Sequence, residues 1–336
     1  MNTKRRTVIT ILVALLSLTA VFFASACRNT GTKGLKYYLS GTEQVVNGYE
    51  GTNKKVVIPK EWEGYPVTYI SKEAFKDCTV ITSIALPDSI AYIDNTAFTG
   101  CINLESITVS KDNPVYHSAG NCIIETSTNK LIIGCKNSII PDDGSVTSIG
   151  DNAFWGCTAL KNIKIPADVT SIGRYAFKGC TSLEKLEFSN GITSIEWFAF
   201  DECLNIRTLT IPESLTYIAT GTFNKCLNLE TVYWNAANCS SSLNSSYYVF
   251  GGCSNFKTLI FGEKVQAIGK GVFDNCTYLK SVTIPVGVTS VGSYAFNGCK
   301  RLSDVYYGGT REQWEQIAID DKNTYLAAAT IHFNSN

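Results

Sequence analysis

Nine cysteines in this chain recur three residues after a phenylalanine, and thiols in such an array could do metal or redox chemistry. A thiolate is both a nucleophile and a soft metal ligand, so the array could bind a metal ion or exchange disulfides. Cysteine metal sites need Cys-x-x-Cys pairs on converging loops, and the sequence contains no such pair. The spacing therefore favours a buried ladder of small, polarisable side chains over a metal or redox site. The nine positions are Cys78, Cys101, Cys157, Cys180, Cys203, Cys226, Cys253, Cys276 and Cys299.

Other catalytic chemistry has little support in the sequence. The chain contains two histidines, His117 and His332, and neither stands in a catalytic-triad pattern. It has no nucleophile-elbow, phosphate-loop or zinc-protease motif. The 29 basic and 29 acidic residues balance, so no overall field attracts nucleic acid or anionic lipid. We therefore expect no enzymatic activity, no cofactor, no metal ion and no nucleic-acid partner.

The elements that position these thiols follow a 23-residue repeat. Successive phenylalanines lie 23 residues apart, with two longer gaps of 56 and 27 residues. After each cysteine come an apolar residue such as Leu160 and an apolar pair two apart, such as Ile163 and Ile165, often followed by proline. The pair predicts a short strand with alternate residues inward, which the proline ends. The phenylalanines are Phe75, Phe98, Phe154, Phe177, Phe200, Phe223, Phe250, Phe273 and Phe296.

One such unit cannot bury its own apolar face, so the units must stack into a solenoid. Stacking aligns the strands in one parallel sheet, at ~4.8 Å per repeat. Segments such as residues 173–177 predict a tight turn and about one helical turn that directs the phenylalanine inward. The sequence therefore predicts a repeat solenoid with a parallel β-sheet on one face, short helical or 3-10 turns on the other, one inserted β-hairpin and capped ends.

The repeat unit resembles the BspA-like branch of leucine-rich repeat proteins. It runs approximately Ile-Gly-x-x-Ala-Phe-x-x-Cys-x-x-Leu-x-x-Ile-x-Ile-Pro, and the match covers about residues 66 to 308. The ends are also similar to that group, and Thr310 and Gln313 fit a capping box in the C-terminal cap. The resemblance implies a leucine-rich-repeat-like fold. It also implies a surface or secreted protein of host-associated bacteria or protists. Several proteins of this group are implicated in adhesion to host matrix proteins or to other cells.

The N-terminal residues indicate an export signal with a lipidation site. Basic residues 4–6 precede an uncharged apolar run at 8–23, and small residues at 24–26 lead directly to Cys27. A cysteine at this place is typical of a bacterial lipoprotein, in which the thiol receives a diacylglycerol. The residue three positions before such a cysteine is usually aliphatic, and Ala24 departs from this pattern, so secretion without a lipid stays an alternative. An uncleaved membrane anchor is less favoured, because sixteen apolar residues fall short of the ~20 that span a bilayer.

Three cysteines lie outside the repeat and the export signal. Cys122 and Cys135 bracket a predicted β-hairpin inserted in the second repeat, which explains the 56-residue gap. The sequence does not decide between a disulfide across this hairpin and two free thiols, and Cys239 has no obvious partner.

The predicted organisation is a signal peptide at 1–26, a polar, flexible tether at 27–35, an N-terminal cap at 36–65, the solenoid at 66–308 with insertions near 110–140 and 235–249, and a C-terminal cap at 309–336.

Outward strand positions are the best candidates for binding a partner. Most carry small polar residues, but Tyr233, Ile260 and Tyr306 are apolar side chains on a face that water contacts. Tyr247 and Tyr248 lie at the end of a nearby Ser- and Asn-rich insertion. Tyrosines on a rigid surface beside an adaptable loop suit protein recognition, although isolated surface aromatics need no explanation.

These features predict a non-enzymatic binding protein. Its partner would be a host-matrix or cell-surface protein, bound through the sheet and its insertions. It would be held on the outside of the cell by a lipid on Cys27, or secreted. Two alternatives remain, a structural scaffold on the bacterium's own envelope and a glycan-binding module that uses Tyr233 and Tyr306. The sequence leaves the oligomeric state open.

Overall fold

The computed structural model describes residues 31–237, 239–241 and 248–335. This part of the chain forms a β-solenoid of about 12 turns with almost no helix. Strands of successive repeats lie parallel and in register, as between Leu209, Val232 and Leu259. The predicted repeat solenoid is confirmed. The predicted signal peptide at 1–26 and the lipidation site Cys27 lie outside the described residues.

The strands and helices are, in chain order, β1 (Leu35–Ser40), β2 (Glu43–Tyr49), β3 (Lys55–Val57), β4 (Glu61–Trp62), β5 (Tyr65–Ile70), β6 (Ser83–Leu86), β7 (Tyr92–Ile93), β8 (Ser106–Val109), β9 (Tyr116–Ala119), β10 (Cys122–Glu125), β11 (Lys130–Ile133), β12 (Ser148–Ile149), β13 (Asn162–Ile165), β14 (Ser171–Ile172), β15 (Lys185–Phe188), β16 (Ser194–Ile195), β17 (Thr208–Ile211), β18 (Tyr217–Ile218), β19 (Thr231–Trp234), β20 (Ser240–Ser241), β21 (Thr258–Phe261), β22 (Ala267–Ile268), β23 (Ser281–Ile284), β24 (Ser290–Val291), β25 (Asp304–Tyr307), α1 (Arg311–Trp314), β26 (Ala318–Ile319), α2 (Thr324–Ala328) and β27 (Thr330–His332).

The N-terminal cap is an antiparallel hairpin of β1 and β2, to which β5 adds in parallel. The part of the predicted tether that the structure describes packs on this cap. The Thr32 N–H donates to the Val57 carbonyl at 3.0 Å, and the Thr32 hydroxyl accepts from the Val57 N–H at 2.7 Å. Thr32 thereby satisfies backbone groups of the edge strand β3, so the fold begins earlier than the predicted tether allows.

The first strip, at the positions that the apolar pairs predict, consists mainly of four-residue strands. It has three hydrogen-bonded segments where one sheet was expected: β3-β6-β8, β13-β15 and β17-β19-β21-β23-β25-β27. In β17 the side chains of Leu209 and Ile211 are buried, whereas those of Thr208 and Thr210 are exposed. This alternation repeats in β19 and β25, because successive strand residues face opposite sides. The first strip therefore carries one row of core residues and one outward face.

A second strip of two-residue strands was not predicted from the sequence. It continues from the four-residue strand β11 as β12-β14-β16-β18-β20, and in β14 and β16 the second residue, Ile172 or Ile195, is buried. Each of β12, β14, β16 and β18 contributes a single buried residue, so it carries no period-2 signal of its own. The solenoid thus has two parallel strips where one was expected.

The turn that contains each phenylalanine is not helical. Tyr175 and Gly179 flank Phe177 with φ of +56° and +70°, and left-handed residues at this spacing interrupt a helix. The turn backbone instead bonds to the next repeat, where the Phe177 N–H donates to the Ala199 carbonyl at 2.7 Å. A bulky residue in this conformation costs about 1–2 kcal/mol, and the equivalent position in another repeat is Gly221.

Stacked phenylalanines form the core beneath these turns. Ring centroids lie 4.7 Å apart between Phe154 and Phe177 and 4.9 Å between Phe177 and Phe200, and the stack continues to Phe296. A separate pair, Phe75 and Phe98, stacks at 5.0 Å. The inserted residues lie between the two stacks.

The insertion is a three-stranded antiparallel meander of β9, β10 and β11, which confirms the predicted hairpin. Its last strand pairs in parallel with β12, so the insertion extends the second strip. Gly134 follows β11, and a Cβ at this position would lie 2.0 Å from a Phe154 ring atom. The insertion backbone therefore takes the place that a further ring would have in the stack.

The C-terminal cap closes the other end. The Gln313 N–H donates to the Thr310 hydroxyl, and the Thr310 N–H donates to Gln313 Oε1 at 2.8 Å, so the predicted capping box at α1 is confirmed. After α2 the chain returns as β27, which pairs in parallel with β25. The first strip thus gains a strand that has no counterpart in the repeat motif.

Candidate binding surface

A continuous row of outward side chains crosses the C-terminal half of the first strip. Cross-strand partners run from Thr210 through Tyr233, Ile260, Thr283 and Tyr306 to His332, and we call these six residues the outer row. Tyr233 is 41% exposed and Tyr306 is 39% exposed, while Ile260 is half-buried. Three strand spacings of ~4.8 Å separate the two tyrosines by roughly 14 Å.

The insertion tyrosines do not join this row. Tyr248 lies in a turn, where its carbonyl accepts from the Gly221 N–H at 3.1 Å, and its side chain is half-buried. This is the position that Tyr175 and Phe198 occupy in earlier repeats. Tyr247 lies outside the described residues. Of the five residues named from the sequence, the structure brings Tyr233, Ile260 and Tyr306 onto one face.

His332 completes the outer row, although the sequence motif does not reach it. Its ring stacks on Tyr306 with centroids 4.7 Å apart, and its Nε2 lies 2.8 Å from Asp304 Oδ1. The Ser303 hydroxyl donates to Asp304 Oδ2 at 2.7 Å. This hydroxyl, and then His332, hold the pKa of Asp304 below its usual value. The Ser303 hydroxyl therefore bonds to the Asp304 carboxylate and not to the His332 imidazole, so the described contacts of His332 do not include a hydroxyl that it could activate as a nucleophile.

A groove lies beside the insertion on the same face of the first strip. Its volume is about 320 Å³. Its lining includes Ile139, which is 75% exposed, together with the outward residues Lys164 and Glu187. Lys164 pairs with Asp142 at 3.8 Å across the groove. We call this the insertion groove; it depends on the packing of the insertion against β13 and β15, which the sequence does not reveal.

The repeated thiols are structural side chains. Eight of the nine are buried, and Cys78 is half-buried. Cys203 Sγ donates to the Phe177 carbonyl at 3.2 Å, and Cys180 Sγ donates to the Phe154 carbonyl at 3.3 Å, each in the preceding repeat. The same bond recurs at Cys101, Cys226, Cys253 and Cys299. Each of these carbonyls also accepts a backbone N–H of its own repeat, as the Phe177 carbonyl does from the Cys180 N–H at 3.1 Å, so the thiol supplies a second hydrogen bond that links one repeat to the next.

Burial also suppresses thiolate chemistry at these positions. It raises the pKa of Cys157 to about 12 and moves those of Cys180 and Cys203 well upward. A protonated thiol is neither a nucleophile nor a good metal ligand. Within the part of the chain that the structure describes, no group of three or more His, Cys, Asp or Glu side chains could hold a metal ion.

Thiol labelling checks this assignment. We expect iodoacetamide at about pH 8 to modify Cys78 first among the described thiols, and to modify the buried ones only after unfolding, because thiolate character and exposure control the rate. Mass spectrometry of peptides from native and urea-unfolded chain measures the pattern, and the unfolded chain is the control for intrinsic reactivity. Rapid labelling of Cys203 in the folded chain would contradict the structural role.

The thiols of the hairpin are free in the structure. Cys122 Sγ donates to the Gly120 carbonyl at 3.6 Å, and Cys135 Sγ donates to the Asn121 carbonyl at 3.6 Å. Burial raises the pKa of Cys122 to about 12, and that of Cys239 likewise to about 12. A disulfide between Cys122 and Cys135 stays a prediction.

The fold and its open sheet face define a protein of the leucine-rich repeat class. The chain belongs to the family described as BspA type Leucine rich repeat region, which matches in six copies at residues 52–143, 147–248 and 243–319. The family predicted from the repeat motif is confirmed. Leucine-rich repeat folds typically serve as non-enzymatic binding scaffolds.

Several solved structures are similar to this chain. A leucine rich cell surface protein from Faecalibacterium prausnitzii A2-165 is 23% identical, with 86% of this chain and 97% of that chain covered and a TM-score of 0.35. A leucine-rich repeat protein from Bacteroides ovatus is 20% identical, with 90% of each chain covered and a TM-score of 0.36. One from Eubacterium ventriosum is 18% identical, with 82% and 89% covered and a TM-score of 0.46. No curated protein matches the chain.

The described residues include no helix that is both long enough and apolar enough to cross a bilayer.

Proposed function

We propose that this protein is a non-enzymatic, exported surface protein that binds a host-matrix or cell-surface protein through the outward face of the first strip. The observation that carries the proposal is the outer row, in which Tyr233 and Tyr306 are exposed on a fixed parallel sheet. Tyrosine is enriched among the residues that dominate protein interfaces. The strands hold these rings at fixed spacing, so little ordering entropy is lost on binding.

The insertion groove extends the same face toward the N-terminal half. Its apolar residues, such as Ile139, and its charged rim, such as Lys164 and Glu187, offer the mixture of contacts found in protein interfaces. A partner that spans the groove and the outer row would make several modest contacts at once. We therefore assign adhesion to the whole face, with the tyrosines as anchors.

We also propose that Cys27 is the point of lipid attachment after export. The basic, apolar and small residues that precede it support this assignment, and a similar protein of Faecalibacterium prausnitzii is described as a cell surface protein. Two acyl chains give a stable membrane anchor, where one chain would be marginal. The binding face would then be presented outside the cell.

A panel of immobilised host matrix and cell-surface glycoproteins tests the adhesive function. We expect the wild-type chain to be retained on at least one native glycoprotein and on the same protein after enzymatic deglycosylation, since the proposed contacts are made to protein. Loss of binding on deglycosylation would favour the glycan-binding alternative. Failure across a broad panel, with capture of the producing cell's own envelope proteins, would favour the scaffold alternative.

A further inference from the structure

The outer end of the N-terminal cap carries an exposed aromatic surface. Tyr38 is 47% exposed, Leu39 is 49% exposed and Tyr65 is 39% exposed. Together with Trp62 they line a cavity of about 310 Å³, and we call these four residues the cap surface. Trp62 and Tyr37, which both line this cavity, stack with ring centroids 4.8 Å apart.

This surface lies at the end of the solenoid axis. The strand β1 is the terminal strand of the sheet β1-β2-β5-β4 in the described chain, and its successive residues Tyr38 and Leu39 lie on opposite sides of this edge strand. A capping repeat normally presents a polar outer face, because an apolar end would associate or aggregate. Exposed tyrosine and leucine side chains on such an end, beside the half-buried Trp62, therefore call for a covering partner.

The path of the chain indicates what that partner is. Thr32 forms hydrogen bonds with the backbone of Val57 in the cap, so the chain enters the solenoid at this same end. Four residues separate Cys27 from Thr32, and the five steps of a fully extended chain between them span at most ~18 Å. A lipid on Cys27 would hold the cap within that distance of the bilayer. At such an effective concentration even a weak surface affinity gives stable contact.

The side chains of the cap surface suit a membrane interface. Tyrosine and tryptophan have an apolar body and a polar tip, and they are enriched at the level of the lipid headgroups. Leucine adds apolar area that the acyl boundary can cover. We propose that the cap surface rests on the bilayer interface, so that the solenoid stands on its N-terminal end and presents the outer row away from the membrane. This proposal rests on the lipid anchor proposed at Cys27.

Hydrogen–deuterium exchange on vesicles tests the proposal without needing native lipidation. A chain beginning at residue 28, which retains the whole described fold, carries a hexahistidine tag at its start and binds phosphatidylcholine vesicles that contain a nickel-chelating lipid. We expect exchange at residues 35–40 and 61–66 to slow on vesicles relative to the free chain. Exchange around Val286 and Ile319, which are exposed outside the N-terminal cap, should stay unchanged. Equal exchange with and without vesicles would overturn the proposal.

Matched variants separate membrane contact from other causes. Replacing both Tyr38→Ser and Leu39→Ser should abolish the slowing while tag-mediated binding persists, and Val286→Ser, a control at an exposed valine elsewhere, should keep it. Slowing at the cap that depends on protein concentration and not on vesicles would show a second copy of the chain, and would also overturn the proposal. Mass spectrometry of the chain extracted from cell membranes tests lipidation of Cys27 by itself, so failure of the anchor and failure of the cap contact are distinguishable.

Discussion

Raising the pH from about 8 to about 10 should unfold this protein cooperatively, because so many thiols are buried in protonated form. Burial raises the pKa of the thiols above the usual value of 9.0, whereas in the unfolded chain they ionise near that value. A raised folded-state pKa contributes stability that is complete below pH 9 and is lost as the pH rises toward the folded value. The nine thiols with raised values are Cys101, Cys122, Cys135, Cys157, Cys180, Cys203, Cys226, Cys239 and Cys276.

The magnitude decides the outcome. Each thiol other than Cys135 has a folded-state pKa raised far enough to lose about 1.4 kcal/mol of stability per pH unit above 9, so these eight together remove on the order of 10 kcal/mol by about pH 10. That is comparable to the whole stability of a typical domain, about 5–15 kcal/mol. Circular dichroism recorded with thiolate absorbance should therefore show loss of structure and appearance of thiolate in one transition.

A single-site variant controls for other alkaline effects such as tyrosine ionisation. Cys203→Ser removes one titrating thiol, and we expect the pH dependence of its unfolding free energy to be shallower by about 1.4 kcal/mol per pH unit above pH 9. Thiolate absorbance that develops near pH 9 while the secondary structure persists would mean that the thiols are accessible to water. The buried ladder would then be wrong.

The second large effect is expected in the phenylalanine stack. Phe200→Ala should lower the free energy of unfolding by about 3–5 kcal/mol, because it leaves a cavity in a closely packed core. The ring is fully buried, stacked 4.9 Å from Phe177 and 5.2 Å from Phe223, with the edge of Phe188 at 5.9 Å. Denaturant titration measures the change.

Leu227→Ala is the matched control for that measurement. Leu227 lies in the next repeat and is exposed, so its truncation should change the free energy of unfolding by no more than about 0.5 kcal/mol. Similar small changes in both variants would show that the stack does not stabilise the fold. A large change in both would show that the exposed leucine is part of a contact that the present account lacks.

Much of this fold follows from the repeat, and the exceptions have physical reasons. The period-2 pairs predict the first strip because each places two side chains in the core, as Leu209 and Ile211 do. Strands such as β14 place only one side chain in the core, so a search for period-2 apolar pairs does not detect the second strip. The conformation of the phenylalanine turns was not predicted from the sequence. Tyr175 and Phe198 adopt left-handed φ, which bulky residues rarely do and which no residue propensity favours.

The candidate surface was only partly predictable for a related reason. Tyr233, Ile260 and Tyr306 occupy one position of a regular repeat, so their alignment follows from the spacing alone. His332 lies in the C-terminal cap, where no repeat sets the register, and it reaches the outer row through β27. The insertion groove and the cap surface depend on how irregular segments pack, and packing between non-repeated segments has no periodic signal.

Binding by two variants in one assay tests the central claim that function lies on the outward sheet face. The first variant replaces Tyr233→Ala and Tyr306→Ala; the second, Trp197→Ala, removes an aromatic ring of similar exposure in a turn outside the two strips. On a glycoprotein that retains the wild-type chain, the double variant should bind more than about tenfold more weakly, since interface tyrosines are worth about 1–2 kcal/mol or more each. The tryptophan variant should bind like wild type. Unchanged affinity of a correctly folded double tyrosine variant would contradict the assignment of the outer row as the binding surface.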